Sequence, residues 1–233
     1  MKRFIDSINN NNDFNGFVKR STLKITYCLL LAAFLLVPWY VFAEDSKIEN
    51  TLIIYYSRTG KTKLVCDILE ENLDAHVLEI EDPVDRTGQL GYMKSAYDAF
   101  THRHTSIEPE QPDLSLYSFI IIASPIWSWN LCTPIHTLFE KNSFEGKKII
   151  LITTANIHIM KYEKYADDAP FIKRFLRDYL RAKRETAANE VSNSGGEFVG
   201  HYHFATKDKT DEEIKDESLK CVEYIEKIIS NME

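Results

Sequence analysis

From residue 51 onward the chain alternates between two hydrophobic periods. "TLIIYYS" (51–57) is a short apolar run. The next segment, "KTKLVCDILEENL", sets Leu64, Val65, Ile68, Leu69 and Leu73 at helical spacing. "HVLEIE" (76–81) alternates apolar with polar, whereas "FIIIASP" (119–125) and "KKIILITTA" (147–155) are continuous apolar runs. "GEFVGHYHFAT" (196–206) is the last strand candidate. Helical patterns separate these runs: "GQLGYMKSAYDAFTHRH", "TPIHTLFEKNSF" and "DDAPFIKRFLRDYLRAKR". Thr133 is the expected N-cap of the second, with Pro134 at its first helical position. The closing helix opens on "TDEE", a capping box of Thr210 and Glu213, and carries Ile214, Val222, Ile225, Ile228 and Ile229 along one side.

Strands separated by helices imply βαβ units and a parallel sheet. The expected fold is α/β, three layers, with a doubly wound five-stranded parallel sheet. Strands covered on both faces read as solid apolar runs, and half-covered ones alternate. The first, third and fourth runs therefore belong in the centre, giving the order 2-1-3-4-5, with the ligand beyond the carboxyl ends of the central strands. Residues 82–118 form a long link whose "GQLGYMKSAYDAFTHRH" is expected to be helical and whose "EPEQPD" is a loop.

The first 43 residues follow other rules. A polar, Asn-rich leader (1–24) ends in Lys19, Arg20 and Lys24, and an uncharged stretch, "ITYCLLLAAFLLVPWYVFA" (25–43), follows. As a helix it would span roughly 28 Å, about one bilayer core. Two readings fit: a signal peptide cleaved after "VFA", or an uncleaved membrane anchor. Under either, the basic flank keeps the N-terminus in the cytoplasm and sends the domain (51–233) outside, to a periplasmic or cell-surface location.

Removing that segment also changes the charge. It holds five of the 28 basic and two of the 35 acidic residues, which leaves the remainder at a net charge of −10. Such a domain does not suit nucleic acid, which requires a cationic face. It suits a basic protein partner. Cys66, Cys132 and Cys221 show neither CxxC nor metal-ligand spacing and read as buried thiols.

The candidate chemistry begins at "YYSRTGKT" (55–62). Its Gly60-Lys61-Thr62 ends like a triphosphate-binding loop, but such a loop needs glycine where Tyr55 stands. The magnesium-holding carboxylate is also missing, because "FIIIA" ends in Ser124-Pro125. An ATPase is excluded on both counts. The same residues suit a single phosphate: Ser57, Thr59 and Thr62 offer hydroxyls, Gly60 permits a tight turn, and a helix N-terminus follows. Arg58, Lys61 and Lys63 add positive charge. A second segment, "ASPIWSWNLCTPIHTLFE", places Trp127 and Trp129 in the loop after the third strand, where a flat aromatic ligand would cover them.

Together "YYSRTGKTKLV" and "SPIWSWNLCTPIHTLFEK…FEGKKIILITT" resemble the flavodoxin family, in the branch with a Ser-Pro-Ile-Trp loop, over residues 51–230. The resemblance implies non-covalent FMN. Its phosphate would lie on Ser57, Arg58, Thr59, Gly60, Lys61 and Thr62. Its ring would lie against Ser124, Pro125, Ile126, Trp127 and Trp129, with Thr154, Ala155 and Asn156 along the remaining edge. The chain departs from that pattern twice: the branch often has Trp-Gly where Trp127 is followed by Ser128-Trp129, and "TTANIHIM" lacks the usual glycines.

Three functions follow. The first is electron transfer to a redox protein partner. The second is NAD(P)H:quinone or FMN reduction in an open pocket, walled by Tyr92, Tyr97 and Phe100. The third is a binding module that kept the fold and lost the cofactor. No metal is expected. His201 and His203, two apart on a strand candidate, share one face, and His102 and His104 have the same spacing, but no further ligand lies near in sequence, so they read as edge or surface histidines.

Overall fold

A computed structural model of the 233-residue chain describes residues 51–156 and 170–232. The leader and the apolar stretch at 25–43 lie outside the described residues, as does all of "IHIM" (157–160). Among the described residues no helix is long and apolar enough to cross a membrane.

The elements are β1 (Thr51–Tyr55), α1 (Lys61–Leu73), β2 (His76–Glu79), α2 (Gly88–Phe100), β3 (Phe119–Trp127), β4 (Asn130–Leu131), α3 (Thr133–Lys141), β5 (Lys148–Ala155), α4 (Phe171–Asn193), β6 (Glu197–Ala205) and α5 (Asp211–Ser230). The parallel strands run β2-β1-β3-β5-β6, the five-stranded doubly wound order expected. Solid runs occupy the centre: Ile53 pairs with Ile121, which pairs with Ile150. The alternating β2 and the Gly-containing β6 lie at the edges. Short β4 pairs antiparallel to the end of β3, an addition the apolar pattern does not reveal.

Alternation along the central strands divides the core into two layers. Ile53, Tyr55, Ile121, Ala123, Ile150 and Ile152 face α1 and α5, meeting Val65, Leu69, Val222 and Ile225. Leu52, Ile54, Ile120, Ile122, Ile149 and Leu151 face the other helices, meeting Ile135, Leu138 and Val191. Burying such aliphatic side chains contributes about 1.5–3 kcal/mol each. Cys66, Cys132 and Cys221 are free and buried in these layers. Burial pushes all three thiols up, Cys132 to about 12, so none carries a thiolate at neutral pH.

Helix boundaries follow local chemistry. The capping box of α5 forms: Glu213 N–H donates to Thr210 Oγ1 (3.2 Å) and Thr210 N–H donates to Glu213 Oε2 (2.8 Å). The N-cap of α3 is Cys132, one residue earlier than expected, and Thr133 opens the helix. Helix α2 stops at Phe100, before the expected "THRH", and Thr101 Oγ1 donates to the Tyr97 carbonyl (2.8 Å). Helix α4 continues to Asn193, past the expected Arg184, through "ETAANEV"; there Val191 is fully buried.

Helix α2 turns an unusual face inward. Gly91, Ser95, Asp98 and Ala99 are buried, while Leu90, Met93, Tyr97 and Phe100 are exposed. A buried ion triad selects that face. Arg86 Nε donates to Asp82 Oδ2 (2.5 Å) and Arg86 Nη1 to Asp98 Oδ2 (3.0 Å). Burial alone would lower the guanidinium pKa, but the two carboxylates outweigh it and hold it above its ordinary value. Gly91 is required by close approach, since a Cβ there would lie 2.2 Å from the Arg86 carbonyl carbon.

The histidines of β6 lie on an edge strand, as expected, but are turned away from its surface. A register shift between Ile149 and Ile150 sets one extra residue, Val199, into β6. Beyond it His201 Nε2 and His203 Nδ1 both lie 2.8 Å from Thr153 Oγ1. His203 is buried. Burial, then the neighbouring His203 and Arg184 charges, lower the His201 pKa to about 4.

Two consequences are measurable. Arg86→Met leaves two carboxylates buried together and should cost about 3–5 kcal/mol in urea unfolding. Adding Asp82→Asn and Asp98→Asn to that variant should restore most of the loss. For His201, the folded state excludes a proton that the unfolded chain binds below its ordinary pKa of 6.5. Stability is therefore full above pH 6.5 and falls as the pH drops toward 4, by on the order of 1–3 kcal/mol. Urea midpoints measured across that range check this, and His201→Gln should flatten the slope.

Candidate functional site

At the carboxyl ends of β1, β3 and β5 lies a cavity of about 320 Å3. Arg58, Thr59, Lys61 and Thr62 line it from the β1–α1 loop; Pro125, Ile126, Trp127 and Trp129 from the end of β3; and Thr154, Ala155 and Asn156 from the end of β5. Tyr92 of α2, Ser128 and Thr206 complete the lining. Ser57, Gly60 and Ser124 belong to the expected set but shape the loops rather than line the cavity.

The β1–α1 loop turns at Gly60, whose φ of +84° no L residue adopts without strain. A Cβ there would meet nothing within 4 Å, so the requirement is conformational, not steric. With glycine in the cap position, the cap residue itself offers no side chain to α1. The N–H groups of its first turn have no intrahelical acceptor and carry partial positive charge toward the loop. Ser57 Oγ accepts from Lys63 N–H (3.2 Å), which fixes the near edge of the loop. Thr62 Oγ1 lies 2.8 Å from Thr154 Oγ1 and binds the loop to β5, while Thr59 is exposed with its hydroxyl free to turn.

The three cations of this region divide. Arg58 sits over the Tyr92 ring at 5.3 Å, and its Nη1 donates to the Arg86 carbonyl (3.4 Å). Lys61 pairs with Asp211 (2.7 Å) at the cavity rim. Lys63 turns away, donating to Asp67 and to the Tyr55 hydroxyl.

The second loop is a hairpin, which corrects its expected form. Trp127 is the last residue of β3, not a loop residue, because its backbone pairs with Asn130. Ser128 (φ +48°) and Trp129 (φ +67°) make the two-residue turn, with both in the left-handed region that favours glycine. Hydrogen bonds hold it there. Ser128 Oγ donates to the Ala96 carbonyl (2.9 Å), and Asn130 Nδ2 donates to the Ala99 carbonyl (3.1 Å). Lys183 Nζ donates to Asn130 Oδ1 (2.8 Å). Ser124 acts underneath, where its Oγ accepts from Cys132 N–H (3.1 Å).

The two indoles therefore differ. Trp127 is 7 % exposed, set edge-on against Tyr56 at 5.6 Å and beneath the Arg86 guanidinium at 5.1 Å. It forms a wall backed by core. Trp129 is half-buried, lines the cavity and meets the edge of Tyr179 at 6.1 Å. Among the described lining residues there is no carboxylate, histidine or cysteine; the titratable groups are Arg58, Lys61 and Tyr92. Such a lining can hold an anion and a flat aromatic body.

Sequence reasoning missed Ser128 and Thr206. Thr206 had a usable signal, since it ends the last strand run at the carboxyl edge. Ser128 had none, because its place depends on the hairpin.

The arrangement is similar to that of several solved structures. A Bacteroides uniformis protein assigned as a flavoprotein shares 18% identity over 72% of this chain and 96% of its own, with a TM-score of 0.49. A Lactobacillus acidophilus flavoprotein in complex with FMN shares 20% over 66% and 93%, with a TM-score of 0.46. A Klebsiella pneumoniae protein assigned as a quinone reductase shares 14% over 76% and 84%, with a TM-score of 0.48. Among curated proteins no sequence matches. A family model described as Flavodoxin matches residues 50–170, from β1 through the hairpin to the start of α4 and thus just over half the chain. By that match, the chain belongs to the flavodoxin family.

Proposed function

We propose that the cavity binds FMN without a covalent bond and that the protein works in electron transfer. One observation carries this reading: the hydroxyl-bearing loop at the N-terminus of α1 opens into the same cavity as Trp129 and Tyr92. The residues fit the group. Thr59, Thr62 and the first-turn N–H groups can hold a phosphate, with Arg58 and Lys61 supplying charge that needs no metal. Trp129 and Tyr92 would flank the ring, and the end of β5 would border it. When bound, FMN supplies one- and two-electron redox chemistry.

The chain's own groups then bind, orient and tune. Among the described lining residues the titratable groups are Arg58, Lys61 and Tyr92, which suit anion binding and ring contact, and the carrier reading rests on the phosphate-sized loop and the acidic surface. The net charge of −10 from residue 44 onward opposes further negative charge in the site, which points to a low midpoint potential. It also suits a basic protein partner. A second reading, NAD(P)H:quinone or FMN reduction, has support in the cavity mouth, where half-exposed Tyr92 and Trp129 leave room for a second planar molecule.

The full-length protein, solubilised and purified, should be yellow and release FMN on denaturation. A colourless protein that takes up no FMN would mean that the fold has lost its cofactor. If carrier function is right, excess NADH or NADPH under anaerobic conditions leaves the colour unchanged, and rapid bleaching would establish the reductase. Thr59→Val should weaken FMN binding by about 1–3 kcal/mol, roughly 5- to 150-fold, by leaving a phosphate oxygen unpaired. Trp129→Ala should weaken it too and shift the potential, as fluorescence titration and redox titration respectively would register.

The location belongs to the same proposal. The basic flank and the apolar stretch at 25–43 support a domain held or released outside the cytoplasm. Protease added to intact spheroplasts should digest it, and complete protection would refute this placement.

A further inference from the structure

The fold assembles five side chains that the sequence keeps apart. His102 and His104 follow α2, His136 and Glu140 lie one turn apart on α3, and Glu190 belongs to α4. Their ligand atoms fall into two sets within 4.8 Å, His102–His136–Glu190 and His104–His136–Glu140. None of the five lines the cavity at the Gly60 loop. The loop after α2 is pinned over α3. Thr105 N–H donates to Thr137 Oγ1 (3.2 Å), and Thr105 Oγ1 donates to Asp82 Oδ1 (2.8 Å).

We infer that this cluster is a binding site for a borderline divalent transition-metal ion of the zinc class, with His104, His136 and Glu140 as ligands and Glu190 as the residue that orients His136. The orientation is already built. His136 Nδ1 lies 2.9 Å from Glu190 Oε2, and both side chains are largely buried. A carboxylate on Nδ1 holds the proton there and leaves Nε2 as the free electron pair, the arrangement found behind metal-bound histidines. That Nε2 faces Glu140 Oε2 at 4.0 Å, and His104 Nδ1 lies 2.7 Å from the same oxygen.

Ligand atoms around a tetrahedral zinc ion, bonded at about 2.0–2.1 Å, lie roughly 3.3 Å apart. The two observed separations lie on either side of that figure. The His104 and His136 rings stack at 5.4 Å with a 19° interplanar angle, so His104 must turn for its lone pair to converge with that of His136. It is half exposed, and turning costs little. His102, with its ring centre 5.4 Å from that of His136, groups with Glu190 and not with Glu140, so the fourth position is left to water. Two imidazoles and a carboxylate favour zinc over magnesium or calcium, which prefer oxygen ligands throughout.

A merely structural ion pair joining α3 to α4 would bind no metal, which gives the test. The untagged full-length protein, treated with chelator and dialysed, is titrated with zinc chloride by calorimetry. The expected result is one zinc ion per chain, undisturbed by millimolar magnesium or calcium. His104→Ala and Glu140→Gln, both at exposed positions, should each weaken zinc binding more than about tenfold, and Glu190→Gln by about 10- to 100-fold. FMN content and near-ultraviolet circular dichroism should stay as in the parent. No stoichiometric uptake by the parent, displacement by magnesium or calcium, or unchanged affinity in any of the three variants overturns the inference.

Discussion

The buried guanidinium of Arg86 governs the half of the molecule that faces the cavity. It pairs with Asp82 before α2 and with Asp98 within it, with its Nη2 and Asp98 Oδ1 buried without a hydrogen-bond partner among the described residues, and it lies against the ring of Trp127 at the end of β3. Its backbone carbonyl accepts from Arg58 of the β1–α1 loop, and the same backbone packs on Gly91. Strand end, helix and loop thus meet on one residue. A charge in that position is tolerable only because two carboxylates neutralise it in good geometry. Lys94, at the rim of the pair, offsets part of the second carboxylate. Few positions leave so little room for substitution.

That triad also explains where hydrophobic periodicity misleads. In "GQLGYMKSAYDAF" the large apolar residues Leu90, Met93, Tyr97 and Phe100 recur at helical spacing, and burial by area would turn them inward. The structure turns them out and buries Gly91, Ser95, Asp98 and Ala99. Turning the helix over would take Asp98 away from Arg86, and breaking a buried ion pair costs several kcal/mol. The close approach at Gly91 admits only a small face. Elsewhere, where no charge competes, periodicity alone reads correctly. The solid runs of β1, β3 and β5 and their central placement follow from apolar burial on both faces, and the alternating β2 takes the edge for the same reason.

The candidate site divides in the same way. The β1–α1 loop was legible because its determinants are local: a glycine that can take positive φ, three hydroxyls and a following helix. The hairpin was not. Trp127 read as a loop residue because Pro125 marks a strand end, yet the chain continues and pairs back through Asn130. The histidine cluster at His136 was illegible for a different reason. Its members come from three elements, and only the return of α4 across α3 brings Glu190 to His136. His201 and His203 lost their surface character through one extra residue, Val199, which no propensity reports.

The rigidity of Trp129 can be argued from magnitudes. Two consecutive non-glycine residues in the left-handed region cost about 1–2 kcal/mol each. Against this stand the hydrogen bonds Ser128–Ala96 and Asn130–Ala99, worth about 0.5–1.5 kcal/mol each, and the charge-assisted Lys183–Asn130 bond, worth about 1.5–3 kcal/mol. The sums are close, so the turn persists only while all three anchors hold. Two of those anchors are carbonyls of α2, whose position depends on Asp98 and therefore on Arg86. A glycine at position 128 or 129 would relieve the strain and loosen the indole. The strained turn instead transmits the fixed position of α2 to the aromatic wall of the cavity, so the charge cluster behind Trp127 sets the geometry of that wall.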